Sequence, residues 1–215
     1  VNLRGGDRGL LATPQTCGSR TMAATLSPWS GTASVSQTSS LDVDGDCTFG
    51  FAPRLDTGMS TSRSRANGAF SFRFSRMDRE QTFDGLRAEL PRGLLASVRD
   101  VPLCRDAQAA AGACPLASKI GIVDAAAGSG DPFVLEEKGE VFLTEGYKGG
   151  SYGLMVKVRA IAGPFRGEWE LNPIVVRQAI HVDRKTAQIT AVSDPFPQIW
   201  HGVPLRVREV TVLVN

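Results

Sequence analysis

Alternation of polarity from one residue to the next constrains this chain more than any other feature. Phe70, Phe72 and Phe74 are separated by Ser71, Arg73 and Ser75. A period of two puts the three rings on one face of an extended strand and the polar residues on the other. Tyr152, Leu154, Val156 and Val158 share a face in the same way, with Lys157 and Arg159 opposite. The same reading predicts strands at Thr21–Leu26, Thr32–Ser39, Ser60–Arg65, Leu86–Leu90, Lys119–Ala125, Glu140–Thr144, Ile174–Val182, Gln188–Val192 and Leu205–Val214. Asn67-Gly68 is a strong hairpin signal and is predicted to join Ser60–Arg65 to the phenylalanine strand. In the last strand the apolar positions change phase, odd at Leu205 and Val207, then even at Val210, Val212 and Val214. One extra residue near Arg208-Glu209, a β-bulge, restores a single buried face. Helical signal is confined to Asp106–Ala111 and Leu94–Val98.

About ten short strands, punctuated by 23 glycines and 12 prolines, predict an all-β chain. The expected form is an antiparallel β-sandwich of immunoglobulin-like or Greek-key style, with one short helix near Asp106–Ala111. With 215 residues, 42% of them hydrophobic, folding buries roughly 70% of the extended chain's surface without metal or cofactor support. A single module over 1–215 is the first expectation. The alternative is two packed β subdomains, 1–90 and 91–215, because Ser and Thr dominate the first part and Val, Ile and Ala the second. Leu90-Pro91-Arg92-Gly93-Leu94-Leu95 is too apolar to be an exposed linker between them.

Lys and Arg total 24 against 22 Asp and Glu, a net charge of +2, which argues against nucleic acid as a partner. No apolar run approaches the roughly 18 residues of a membrane span, and Val1–Leu10 lacks the layout of a signal peptide. The four cysteines, Cys17, Cys47, Cys104 and Cys114, include no C-x-x-C pair, and His181 and His201 lie far from them. Two disulfides, Cys17–Cys47 and Cys104–Cys114, are the plainer reading, with four buried thiols as the alternative. By loop-closure entropy such bridges contribute about 3.7 and 2.8 kcal/mol respectively. They imply an oxidising compartment, hence a mature or excised segment of a secreted protein.

The residues with chemical potential are few. Gly149-Gly150-Ser151-Tyr152-Gly153 matches the G-x-S-x-G nucleophile elbow, with His181 or His201 as a formal base. The residues after Gly153 are β-periodic, however, so a glycine-rich turn into a strand accounts for the same letters. Asp42, Asp44 and Asp46 fall within five residues and form a weak calcium candidate, although Asp44-Gly45 is also a plain turn dipeptide. His181 and Asp183 sit two apart, on one side of a strand, as an ordinary surface pair. Trp169, Trp200 and His201 are weak ligand-binding candidates, since planar aromatics on an exposed rim can stack on sugars, although the plainer reading has each of Trp29, Trp169 and Trp200 covering a core edge. No catalytic residue is assigned, and no cofactor or metal is expected beyond that calcium possibility.

Several phrases acquire meaning when read in order. Leu90-Pro91-Arg92-Gly93-Leu94-Leu95-Ala96 is followed by Val101-Pro102-Leu103-Cys104 and by Cys114-Pro115 with Ser118-Lys119-Ile120-Gly121. Next come Val141-Phe142-Leu143-Thr144, Gly146-Tyr147-Lys148-Gly149, Tyr152-Gly153-Leu154 and Ala162-Gly163-Pro164-Phe165. Val175-Val176-Arg177, Ser193-Asp194-Pro195-Phe196-Pro197 and Gly202-Val203-Pro204-Leu205-Arg206 complete the series. From about Thr13 to Asn215 the chain resembles the repeat module of large, uncharacterised secreted proteins of high-GC Gram-positive bacteria, the actinobacteria. The resemblance implies a tandem array, with neighbouring modules or cell-wall and surface components as partners and an extracellular or cell-surface location. It transfers no catalytic residue. The departure from the family lies at Arg166-Gly167-Glu168-Trp169-Glu170-Leu171-Asn172-Pro173. The expected function is therefore a non-enzymatic structural or interaction module, with a carbohydrate-binding module as first alternative and a hydrolase using Ser151 as second.

Overall fold

The pattern Val141-Phe142-Leu143-Thr144 has no polar side to turn toward water, and the structure places it where both faces of a strand are covered. The computed structural model describes residues 11, 13–14, 16–45, 47, 50–134, 138–159 and 173–215. Strands make up 46% of it and helix 4%, an all-β chain. It divides into two compact units, Val1–Phe51 and Ala52–Asn215.

The described part of the first unit is a two-stranded antiparallel hairpin, β1 (Gly18–Leu26) and β2 (Val35–Val43). The second unit begins with β3 (Arg54–Met59), β4 (Phe70–Ser75) and β5 (Arg87–Glu89). These are followed by the short helix α1 (Asp106–Ala110), then β6 (Lys119–Ala127), β7 (Phe133–Val134), β8 (Gly139–Thr144) and β9 (Tyr152–Val158). It ends with β10 (Ile174–Val182), β11 (Ile189–Ser193), β12 (Ile199–Trp200), β13 (Val203–Pro204) and β14 (Val207–Val214). Ten of these strands form one sheet in the order β3-β4-β14-β6-β8-β9-β10-β11-β5, with β7 added to β6. All its strand pairs are antiparallel, and it curls into a half-barrel. The division at Phe51/Ala52, rather than near Leu90, follows from the ladders. Arg87–Glu89 is hydrogen-bonded to β11, and β3 and β4 reach the rest through β14.

Register explains the two-sided burial. On β8 and β9, Val141 faces Val156 and Phe142 faces Met155. Adjacent rungs point to opposite sides. Val141 and Val156 pack with Val123, Val158, Val210 and Val212 on one side. Phe142 and Met155 pack with Cys104, Ala109 and Cys114 on the other, under α1 and its loop. The phenylalanine strand lies on the Val123 side, since Val212 is paired both with Val123 and with Phe72. Phe74 stands edge-on to Phe83 at 4.9 Å and parallel to Phe196 at 6.0 Å.

The expected bulge is present, with the β14–β6 register slipping between Val207 and Glu209. The extra residue, Arg208, uses its freedom to tie loops together. Its guanidinium pairs with Asp78 at 2.8 Å and donates to the Gly130 carbonyl at 3.1 Å, while Asp78 accepts from the Gly130 amide. Arg76, nearly buried, donates to the carbonyls of Val207, Met77 and Glu80. Burial, and then the neighbouring Arg208 charge, lower the Arg76 pKa.

Two expectations fail locally. The partner of the phenylalanine strand is Arg54–Met59 and not Ser60–Arg65. Residues 60–69 form the connection, closed by Ser60 donating to the Ala69 carbonyl at 2.9 Å. Leu55, Thr57 and Met59 supply an alternating side, which Ser60–Arg65 lacks. Leu94–Val98 is not helical. Pro91 and Gly93 stand just ahead of it, and no element covers Leu95, which is largely exposed. Met155 is fully buried between the sheet and the α1 loop. Met155→Ala is therefore expected to cost about 2–5 kcal/mol in chemical denaturation, by lost transfer energy plus the cavity left behind.

Candidate functional site

The most unusual surface in the chain is the β1–β2 hairpin. Its nine-rung ladder runs from Gly18–Val43 to Leu26–Val35, so each face can be read rung by rung. One face carries Ser19, Thr21, Ala23 and Thr25 opposite Asp42, Ser40, Thr38 and Ser36. The other carries Arg20, Met22, Ala24 and Leu26 opposite Leu41, Ser39, Gln37 and Val35. The hydroxyl face is internally linked, with Thr25 and Ser36 3.2 Å apart, and beyond it Ser27 and Ser34 2.7 Å apart. The apolar side chains of that face are exposed: Met22 68%, Leu26 60%, Val35 54% and Leu41 56%. Trp29, in the connection at the tip, is fully exposed. Cys17 and Cys47 close the base as a disulfide, with Cα atoms 5.4 Å apart.

A two-stranded ribbon on its own is marginally stable in water. Natural proteins rarely leave such a strip bare unless something binds there. Sequence reading placed strands here and treated Trp29 as a core-edge residue. The available signal was the offset alternation of Thr21, Ala23 and Thr25 against Met22, Ala24 and Leu26.

The residues singled out from sequence do not converge. Ser151 is exposed and opens directly into β9, a strand rather than a helix. Gly153 is dictated by close packing, since a Cβ there would lie 2.4 Å from the Thr144 hydroxyl. Asp183 spends its Oδ1 on the Lys185 and Thr186 amides at 2.9 and 2.7 Å and on the Thr186 hydroxyl. It thus caps a turn, and those bonds hold its carboxyl below the ordinary range. Trp200 meets His201 edge-on at 5.2 Å. His201 and Gly202, both at positive φ, form the two-residue turn between β12 and β13. Asp42 ends on the hydroxyl face of the hairpin, and Asp44 follows β2. Asp46 and Trp169 lie outside the described residues, as does Arg166–Asn172. Among the described residues no three His, Cys, Asp or Glu side chains gather as a metal site.

What the fold does bring together is a polar clasp beside the Cys104–Cys114 disulfide. Helix α1 sits over the Phe142–Met155 side, and Arg177 of β10 reaches Asp106 in its first turn at 2.7 Å. This is a charge contact off the N–H direction rather than an aligned hydrogen bond. The same guanidinium lies 3.7 Å from the Tyr147 ring centroid, a cation–π contact. Tyr147 donates its hydroxyl to Asp194 at 2.7 Å, and Lys148 donates to the same carboxylate at 2.6 Å. The Asp194 hydrogen bond, then burial, raise the Tyr147 pKa. Burial alone pushes the Asp194 carboxyl up, but Lys148 and Tyr147 outweigh it and hold it below the ordinary carboxylate range. The clasp is a fastening between β10, α1 and the turn before β9.

A depressed folded pKa stabilises above the unfolded value, and that stability is lost as pH falls through the folded one. Thermal stability of the second unit should therefore drop as pH falls from about 4. Asp194→Asn should lower stability at pH 7 and flatten that part of the pH profile in scanning calorimetry. Compared with protein-family models, curated proteins and solved structures, the chain matches none.

Proposed function

We propose that this chain is a non-enzymatic structural and interaction module of a secreted or cell-surface protein, and that the β1–β2 hairpin is its adhesive element. The observation that carries the reading is the bare apolar face of that hairpin, opposed to a hydroxyl face. The chemistry-bearing residues support it by their separation: Ser151, Asp183 and His201 each serve a turn. Both cysteine pairs are bonded, which suits an oxidising, extracellular setting. Among the described residues no helix is long and apolar enough to cross a membrane. The β-sandwich class belongs to the same reading, with opposed halves of the curled sheet acting as its two layers. Neighbouring repeat modules or cell-wall components are the partners it implies, in an actinobacterial surface protein.

Hydrogen exchange tests the reading. In dilute solution, amides of Met22–Leu26 and Val35–Ser39 should exchange at least about 100-fold faster than those of Val141 and Val156. Protection of the hairpin equal to that of β8 and β9 would mean its face is already covered, and the reading would fall.

Carbohydrate binding is a second reading, favoured by one observation: Trp29 stands fully exposed, with Ser27, Ser30, Thr32 and Ser34 around it. Flat aromatic surface beside hydroxyl groups suits stacking on a sugar ring. Affinity electrophoresis in neutral polysaccharide gels should show retardation that Trp29→Ala removes. Equal mobility of both proteins in every gel would dispose of this reading.

A further inference from the structure

We propose that Asn67-Gly68 is a self-modification site, at which the asparagine converts to aspartate and isoaspartate, and that the isoaspartyl form loosens the edge strand β3. The dipeptide usually marks a two-residue hairpin turn, in which both residues take positive φ. In this chain it has no such duty. The pair lies inside the connection between β3 and β4, and neither residue has a positive φ. The left-handed residue of that connection is Arg65, at 59°. Asn67 and Gly68 are both exposed. Among the described residues no group bonds to the Asn67 side chain or accepts from the Gly68 amide.

The reaction needs only this pair and water. The Gly68 nitrogen gives up its proton to base and attacks Cγ of Asn67, forming a C–N bond. The Cγ–Nδ2 bond breaks, the departing nitrogen takes up a proton and leaves as ammonia, and a cyclic succinimide remains. Water then adds at one of the ring carbonyls. Opening at Cγ gives aspartate with the original main chain. Opening at the main-chain carbonyl gives isoaspartate, whose main chain runs through Cβ and Cγ. Water is consumed, ammonia is released and nothing is oxidised or reduced. Glycine favours the attack because no Cβ crowds its nitrogen, and an exposed, unbonded amide is open to base. The remaining candidates are poorer. Asn2 precedes Leu3, whose side chain crowds the nitrogen, and Asn172 precedes Pro173, which has no amide proton. Asp44-Gly45 and Asp84-Gly85 present carboxylates, whose charge repels an anionic nitrogen.

The products differ in what they do to the fold. Just past the site the connection is closed by the Ser60 amide donating to the Ala69 carbonyl at 2.9 Å and the Ala69 amide donating to the Ser60 hydroxyl at 2.9 Å. Gly68 is pressed against the same segment: a Cβ there would lie 2.8 Å from Thr61 Cγ2 and 2.9 Å from Ser60 Oγ. Aspartate keeps the chain length and leaves this closure in place. Isoaspartate adds a main-chain atom immediately before Gly68, where the packing has no slack to absorb it. Among the described residues β3 stands at the end of the sheet with β4 as its ladder neighbour. An edge strand held on one side is the first to feel the loss of that closure.

Peptide mapping by mass spectrometry tests the site. The full oxidised chain is held at mildly alkaline and at mildly acidic pH, then digested, with an isoaspartyl-specific methyltransferase to mark the isomer. The expected result is progressive conversion at Asn67, faster at the alkaline pH, with isoaspartate among the products and slower change at Asp44 and Asp84. Asn67→Gln, whose longer side chain must close a larger ring, should lose the conversion. An Asn67 that stays intact in the folded chain while a reduced, denatured sample converts overturns the site, because the fold is then holding ring closure off. Hydrogen exchange reads the effect on β3. The β3 amides bonded to β4 should lose protection in chromatographically separated isoaspartyl protein and keep it in Asn67→Asp. Equal protection in both overturns the loosening of β3.

Discussion

Two adjacent rungs carry the second unit. Val141 opposite Val156 and Phe142 opposite Met155 sit one step apart on β8 and β9, so their side chains leave the sheet in opposite directions. The first rung anchors the side that collects Val123, Val210 and Val212 and continues toward the phenylalanine strand. The second anchors the side on which the Cys104–Cys114 loop and α1 are seated. An outer strand can present one polar face to water, but a strand covered twice cannot. Thr144 accordingly turns its buried hydroxyl back to the Glu145 carbonyl.

Away from that centre, charged side chains act as fasteners. Arg76 and Arg208 lie beside each other at the bulge and consume main-chain carbonyls from several loops, with Asp78 offsetting part of their charge. Arg177, Tyr147, Lys148 and Asp194 do the same beside α1. Both groups hold connections against a sheet whose inner strands have no spare hydrogen-bonding capacity. The hairpin is the counterpart: its ladder is complete, its hydroxyl groups bond to one another, and its apolar side chains Met22, Leu26, Val35 and Leu41 are exposed.

Much of this was readable in the letters because strand periodicity is local. Phe70-Ser71-Phe72-Arg73-Phe74 announced its faces, and the change of phase between Val207 and Val210 announced the bulge. The spacing of Cys104 and Cys114 announced the staple over Asp106–Ala110. What was not readable depends on contacts between distant segments. Arg54–Met59 looks unremarkable until it is laid beside Phe70–Ser75, whereas Asn67-Gly68 drew attention to the wrong partner. One long curled sheet and two stacked sheets share the same alternation, since periodicity gives the face of each strand and not its neighbour. The clasp joins Tyr147 to Asp194 and Asp106 to Arg177, and no spacing rule links those positions. The hairpin was visible as strands but not as a surface, because an apolar stripe looks the same in sequence whether or not anything covers it.

The bond at the foot of the hairpin matters when the chain is stretched. Tension arriving at Cys17 leaves through Cys47, thirty positions further along the chain, by way of the sulfur bridge, so the segment between them carries no load. Cys104–Cys114 shelters α1 in the same manner. Under tension the strands of the large sheet would therefore yield first, while the ribbon kept its shape.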